Sequence, residues 1–273
     1  MPLPVIQIGV RGEQDSGSAQ RDLDRPTAKE IYDQVAQNAR VELVRKAVPL
    51  AISGIAGGLL MGLTGLSVSI LLSMIGKTPA GQVVSFFFYP LGFMVVILGR
   101  SQLFTENTLY PVALMLAERR HYLSTLRLWS IVYPANILGA LLFALLAVKT
   151  GALRPEYVTE LTRMGVEAQA VGASHAFWSG VVGGWIIASV AWLVSASHSI
   201  TGSVMLIWSM TFIVGLGHFA HCIATSGEML SAVLHGQLHF VQFFGWLLPA
   251  TAGNVMGGVL LVTLLEYGQA KLQ

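Results

Sequence analysis

Charge is what this sequence has least of. Of its 273 residues 11% are charged, 16 basic and 14 acidic, while 54% are hydrophobic and the mean hydropathy is +0.66. Soluble domains carry about 25% charged residues, so the chain cannot cover a water-facing surface, which disfavours a soluble enzyme or a nucleic-acid binder. Cysteine is equally scarce: Cys222 stands alone, which rules out an internal disulfide and a thiolate-rich metal cluster. The first 46 residues are polar and charged, so no cleavable signal peptide is expected.

The charges that are present are clustered. None falls in 168–227, and further uncharged runs cover 47–75, 78–99, 128–148 and 229–265. A membrane helix takes about 20 apolar residues. The runs therefore predict an all-α integral membrane protein with six spans, at about 47–75, 79–116, 126–148, 177–197, 203–234 and 240–266. Pro90, Gly99 and Pro111 interrupt the second, and Gly215, Gly217 and Gly227 interrupt the fifth. With both termini on one side, that side holds eleven Lys and Arg and the other holds four, Lys77, Lys149, Arg154 and Arg163, with Arg100 inside a span. The positive-inside rule then makes both termini cytoplasmic in a multi-pass protein of the cell inner (plasma) membrane.

Three regions follow. Residues 1–46 read as a cytoplasmic tail with a mobile stretch at 13–18 and a surface helix opened by the capping-box pattern Thr27-Ala28-Lys29-Glu30. Residues 47–267 form the membrane domain, and 268–273 a cytoplasmic C-terminal tail. The membrane domain repeats itself. Gly54-Ile55-Ala56-Gly57-Gly58 matches Gly180-Val181-Val182-Gly183-Gly184 at an offset of 126, and Asn136-Ile137-Leu138-Gly139 matches Asn254-Val255-Met256-Gly257 at an offset of 118. Each match lies three spans apart, so the repeats, about 47–148 and 175–267, enter the bilayer from opposite sides. Solute paths in such inverted repeats lie at the repeat interface, and irregular backbone at membrane depth survives only in protein or against a cavity. The two breaks, at 103–107 and 221–225, are the first candidates for the centre of a path.

His221 leads the candidate residues, because an imidazole in the membrane interior is costly and either bridges helices or handles protons and hydrogen bonds. Thr225 lies one turn on and is a candidate to hold the other ring nitrogen or to line the path. His218 with His221 gives a His-x-x-His pair, but no third ligand is at helical spacing, so no metal and no cofactor is expected. Arg100 and Glu106 flank the first break and either pair structurally or, in the case of Arg100, attract an anion. His235 and His239 fall in a short loop before the last span. An intramembrane enzyme is disfavoured, since His218, His221, Cys222 and Glu228 are its only material and Cys222 points away from His221.

These features resemble the formate/nitrite transporter family across about 46–267. The resemblance rests on Leu103-Phe104-Thr105 in the broken second span, Asn136-Ile137-Leu138-Gly139-Ala140 in the third, 185–192 in the fourth, His221-Cys222-Ile223-Ala224 in the fifth and Asn254 with Gly257-Gly258 in the sixth. It implies an aquaporin-like bundle assembled as a homopentamer in the lipid bilayer, with one pore per protomer for small monovalent anions. It also implies a pore histidine at His221, a loop constriction at Leu103 and Phe104 beside Thr105, an outer constriction at Tyr89, Phe93 and Val214, and helix-break support from Asn136 and Asn254. Departures mark a divergent branch: Gln102 and Ala220 stand where the family commonly has acids, Thr225 where it has asparagine, and no lysine occurs in 171–175. The expected function is a channel or transporter for weak-acid anions assisted by His221. The alternative is a pore for small neutral polar solutes. No catalysis and no nucleic-acid partner is expected.

Overall fold

The computed structural model describes residues 26–272, with side chains to residue 270, so the stretch at 13–18 lies outside the described residues. The first element, α1 (Ala28–Val44), opens with a closed capping box. The Thr27 hydroxyl accepts from the Glu30 N–H at 3.3 Å while the Glu30 carboxylate accepts from the Thr27 N–H at 2.7 Å. Tyr32, Val35, Ala36, Ala39 and Leu43 form the buried stripe of this helix. The Tyr32 hydroxyl donates to the Ala113 carbonyl at 2.6 Å, and Arg40 pairs with Glu118 at 2.6 Å. The helix is thus tied to the end of the second span.

The spans follow the uncharged runs. α2 (Ala47–Ile75) is followed by a second span made of α3 (Pro79–Phe86) and α4 (Leu91–Leu98), an irregular stretch with one 3₁₀ turn at Glu106–Thr108, and α5 (Tyr110–Glu118). α6 (Tyr122–Lys149) completes the first repeat. The second repeat runs through α8 (Gly172–Ala196), a fifth span divided into α9 (Ile200–Leu216) and α10 (Ala224–His235), and a sixth that begins with α11 (Phe240–Met256). Among the described residues, five helices are long and apolar enough to cross a membrane. The fifth span falls short because its apolar length is split between two short helices. The all-helical, six-segment architecture and its two broken helices agree with the sequence reading.

The repeats pack alike. α2 lies most closely on α6, and α8 on α11. Glycine permits the approach: a Cβ on Gly58 would sit 1.9 Å from the Asn136 carbonyl, and one on Gly184 would sit 2.2 Å from the Asn254 carbonyl.

Three features differ from the sequence reading. The charged connection before the fourth span contains a 16-residue helix, α7 (Pro155–Ala170), opened by Pro155 in its first turn and packed closely on α10, where a Cβ on Gly165 would sit 2.4 Å from the Glu228 carbonyl. The sixth span is not one regular helix. Gly257–Thr263 widens into a π-helical turn before α12 (Leu264–Leu272), which also takes in 268–272 of the stretch expected as a C-terminal tail. The wide turn is set by tertiary contact: the Thr263 hydroxyl donates to the Thr108 and Gly258 carbonyls, and a Cβ on Gly258 would lie 2.0 Å from the Thr108 hydroxyl. Finally, His235 closes α10 rather than lying in the loop, while His239 precedes α11.

Candidate functional site

Both breaks are built the same way. α4 ends at Gly99, Arg100 turns left-handed with φ 57°, and the Arg100 and Ser101 N–H groups fold back onto the Ile97 and Val96 carbonyls. α9 ends at Gly217, His218 turns left-handed with φ 51°, and the His218 and Phe219 N–H groups fold back onto the Gly215 and Val214 carbonyls. This is the Schellman closure of a helix, made here with non-glycine residues in the left-handed position.

Buried asparagines then carry the exposed backbone. Asn136 accepts from the Phe104 N–H at 2.8 Å and donates to the Gly54 and Gln102 carbonyls at 2.7 and 2.8 Å. Asn254 accepts from the Cys222 N–H and donates to the Gly180 and Ala220 carbonyls, each at 2.8 Å. The Ser53 hydroxyl takes the Gln102 N–H at 3.0 Å, and the Ser179 hydroxyl takes the Ala220 N–H at 3.0 Å. With no water to satisfy these groups, side chains must do so. The two serines went unread in the sequence, although extending the glycine repeat by one residue, to Ser53-Gly54 and Ser179-Gly180, exposes them.

This scaffold makes Leu103 and His221 equivalent positions, and they face a common centre from opposite repeats. His221 is fully buried. Its Nδ1 accepts from the Ala224 N–H at 3.1 Å, and its Nε2 meets the Thr105 hydroxyl at 2.8 Å. The Phe93 ring stands edge-on to the imidazole, with centroids 5.0 Å apart. Because Nδ1 accepts, the ring's proton is assigned to Nε2, which donates to Thr105 Oγ1 and leaves the threonine hydroxyl proton free to point elsewhere. Thr225 does not hold the ring, a role that falls to the Ala224 amide because the break places that N–H over Nδ1.

Two cavities flank this centre. One, of about 400 Å³ on the α7 side, is lined by Tyr89, Val214, His218, Thr225 and Glu228 among others. The second, of about 340 Å³ on the α1 side, is lined by Arg100, Gln102, Leu103, Glu106 and Tyr110 among others. Thr105 and His221 line neither, although their chain neighbours do: Leu103 and Glu106 line the α1-side cavity, and Ala220 and Thr225 the α7-side one. Phe104 lines neither cavity, because its ring packs against Trp129 and Tyr133 of α6. Of the Leu-Phe-Thr run, Leu103 lines the α1-side cavity and Thr105 holds the histidine. Arg100 and Glu106 share the α1-side cavity but form no ion pair, so the structural pairing is corrected. His218 packs edge-on to Phe86 at 4.9 Å instead of joining His221. Among the described residues no group of three potential metal ligands converges.

Comparison with known proteins adds to this geometry. The family model described as formate/nitrite transporter matches residues 29–268. The inner membrane protein YfdC of Escherichia coli is 30% identical over 249 residues, covering 89% of this chain and 79% of that protein. A probable formate transporter of Methanothermobacter thermautotrophicus is 30% identical over 209 residues, 69% of this chain and 76% of its own length. Among solved structures, a chain described as an FNT family ion channel superposes with TM-score 0.78 at 17% identity, covering 87% of this chain and 98% of that one. A pentameric formate channel with formate bound superposes with TM-score 0.71 at 20% identity, over 83% and 98% of the two chains.

Proposed function

Because the chain belongs to the formate/nitrite transporter family, a family of transport proteins and not of enzymes, we propose that it passes small monovalent anions of weak acids through each protomer, with Thr105 and His221 at the narrowest point. The observation that carries this reading is the 2.8 Å contact between Thr105 and His221, which joins the two repeats between two cavities. A bare anion in an apolar constriction loses its hydration at high cost. Hydrogen-bond donors placed there in advance offset that cost without reorganising. The imidazole holds the threonine oxygen through Nε2–H, and the threonine hydroxyl turns its own proton to the solute. A second proton on Nδ1 would set two N–H groups against each other, so His221 acts here as an orienting donor that passes its effect through Thr105.

The remaining parts of the reading follow the family. The protein works as a homopentamer in the inner membrane of the cell, as the described state of the pentameric formate channel and the name of the E. coli relative suggest. The basic α1 side is cytoplasmic, with residues 1–46 and 268–273 on that side of a channel domain at 47–267. Tyr89, Phe93 and Val214 form the approach from the outer side, and Leu103 the approach from the inner side.

The test is flux into proteoliposomes. Formate and nitrite entry should exceed the leak of protein-free vesicles, should rise as external pH falls, and should drop after His221→Ala. Unchanged flux of every small monocarboxylate in His221→Ala would overturn the mechanism. A second reading, a pore for neutral polar solutes, is favoured by the charge in the α7-side cavity, where Lys77 and Arg163 are matched by Glu167 and Glu228. Osmotic swelling in glycerol faster than in formate at the same gradient selects that reading.

A further inference from the structure

Position 102 is held by its backbone and not by its side chain. Its N–H is taken by Ser53 and its carbonyl by Asn136, and in the second repeat Ser179 and Asn254 do the same for Ala220. Gln102 and Ala220 are therefore equivalent positions, one lining the α1-side cavity and the other the α7-side cavity. A methyl group completes the bend in the second repeat, so the bend itself does not call for the longer side chain that the first repeat carries.

That side chain is nonetheless fixed. Gln102 is only 9% exposed, and its Oε1 accepts from Asn107 Nδ2 at 2.9 Å. Asn107 is buried in turn, with its carbonyl held by Trp129 Nε1 at 2.9 Å. With Oε1 spent on Asn107, Gln102 Nε2 has no hydrogen-bond partner among the described residues, an arrangement that is costly in a protein interior unless something else accepts. The carboxyl groups that line the same cavity each have a cation near them: Glu42 pairs with Arg45 at 2.8 Å, and Glu106 lies in the field of Arg100. The uncommitted donor immediately before Leu103 is thus a neutral amide on a fixed base.

We propose that Gln102 is a substrate-binding residue of the α1-side mouth, where its Nε2–H donates to an oxygen of the anion as it reaches Leu103. This rests on the proposed anion path and adds the residue that takes the solute before Thr105 does. A donor aligned in advance offsets part of the hydration that the anion gives up, and hydrogen bonds to a charged group are stronger than neutral ones. Being neutral, the amide does this without adding a fixed cation that would hold the anion back. The α7-side mouth has no such arm, because Ala220 stands in its place.

The test is the concentration dependence of formate exchange in proteoliposomes for the wild type, Gln102→Ala and Gln102→Glu, with size exclusion as the check on folding. Gln102→Ala installs the residue that the second repeat already carries. Gln102→Glu keeps the shape and the acceptor for Asn107, and turns only the free donor into an acceptor. Both should raise the half-saturating formate concentration, by about tenfold for alanine, and leave the maximal exchange rate little changed. A lowered maximum at an unchanged half-saturating concentration marks a structural prop and overturns the proposal. Wild-type behaviour in Gln102→Glu overturns it as well, so a poorly folding Gln102→Ala leaves the test intact. In each of these outcomes formate still crosses and the anion path stands. Only a wild type that exchanges neither formate nor nitrite removes both.

Discussion

Asn136 and Asn254, 118 residues apart, make the same three hydrogen bonds to the same three backbone positions of their respective repeats. Each asparagine holds one N–H and two carbonyls of a broken helix and of the span beside it. The path exists only because these groups are paired inside the membrane, so the asparagines come before any solute contact in the chain of causes.

Replacing either asparagine with alanine leaves one N–H and two carbonyls unpaired, at about 1–3 kcal/mol for each group. Asn136→Ala and Asn254→Ala should each lower the melting midpoint of the detergent-solubilised protein by at least about 6 °C, followed by fluorescence-detected size exclusion after heating. Equal losses in the two variants are expected from the equal bonding. A midpoint within a degree of wild type would mean that water reaches the breaks.

The glycines at the tightest approaches should behave in opposite ways to those in open space. Gly58→Ala and Gly184→Ala drive a methyl group into the Asn136 and Asn254 carbonyls and should remove most of the monodisperse protein, as overpacking costs about 1–3 kcal/mol or more. Gly245, in α11, has nothing within 4 Å of the place a methyl group would take, so Gly245→Ala should be tolerated and gain up to about 1 kcal/mol of helix propensity. Yield and dispersity on size exclusion report both.

Thr105 tests the orienting role of the histidine more sharply than the histidine itself. Thr105→Ser keeps the hydroxyl that meets His221 Nε2 at 2.8 Å and should retain formate flux. Thr105→Val keeps the shape and loses the hydroxyl, and should cut flux at least tenfold, equivalent to about 1.4 kcal/mol. Equal flux in the two variants would show that no hydrogen bond from this position reaches the solute.

The docking of α1 should depend on acid pH. Hydrogen bonds from His121, Arg40 and Arg120 hold the Glu118 carboxyl down to about 2, from an ordinary value near 4.5. A carboxyl depressed on folding contributes stability that is complete above the ordinary value and is lost as pH falls from 4.5 toward 2. Hydrogen exchange of α1 in detergent should therefore be flat from neutral pH to about pH 5 and quicken below 4.5 relative to Glu118→Gln, once the intrinsic exchange rate is divided out. Parallel profiles for wild type and Glu118→Gln would contradict it.

Much of the fold was legible because lipid imposes it: a stretch without charge long enough to span must be a helix, and 47–75 reads off to the residue. Asn136 and Asn254 were legible as a pair because a polar residue beside close-packed glycines recurs at a fixed offset. Other features depend on contacts no local pattern records. The π-helical turn at Gly257–Thr263 arises from Thr108 pressing on Gly258, and the burial of Phe104 against Trp129 and Tyr133 follows from which way the break turns. Arg100 and His218 were hardest to read, since a left-handed residue is normally announced by glycine and here the glycine stands one position earlier.

That displacement has a consequence for how the two halves have diverged. With glycine in the left-handed position, each break would close on a bare backbone and carry nothing into its cavity. A side-chain-bearing residue there gives each mouth an adjustable group on a fixed hinge, arginine at one and histidine at the other. The molecule is two copies of one bend with separate fittings, and exchanging the residues at positions 100 and 218 would carry the guanidinium from the α1-side cavity to the α7-side one without removing a side chain from either bend.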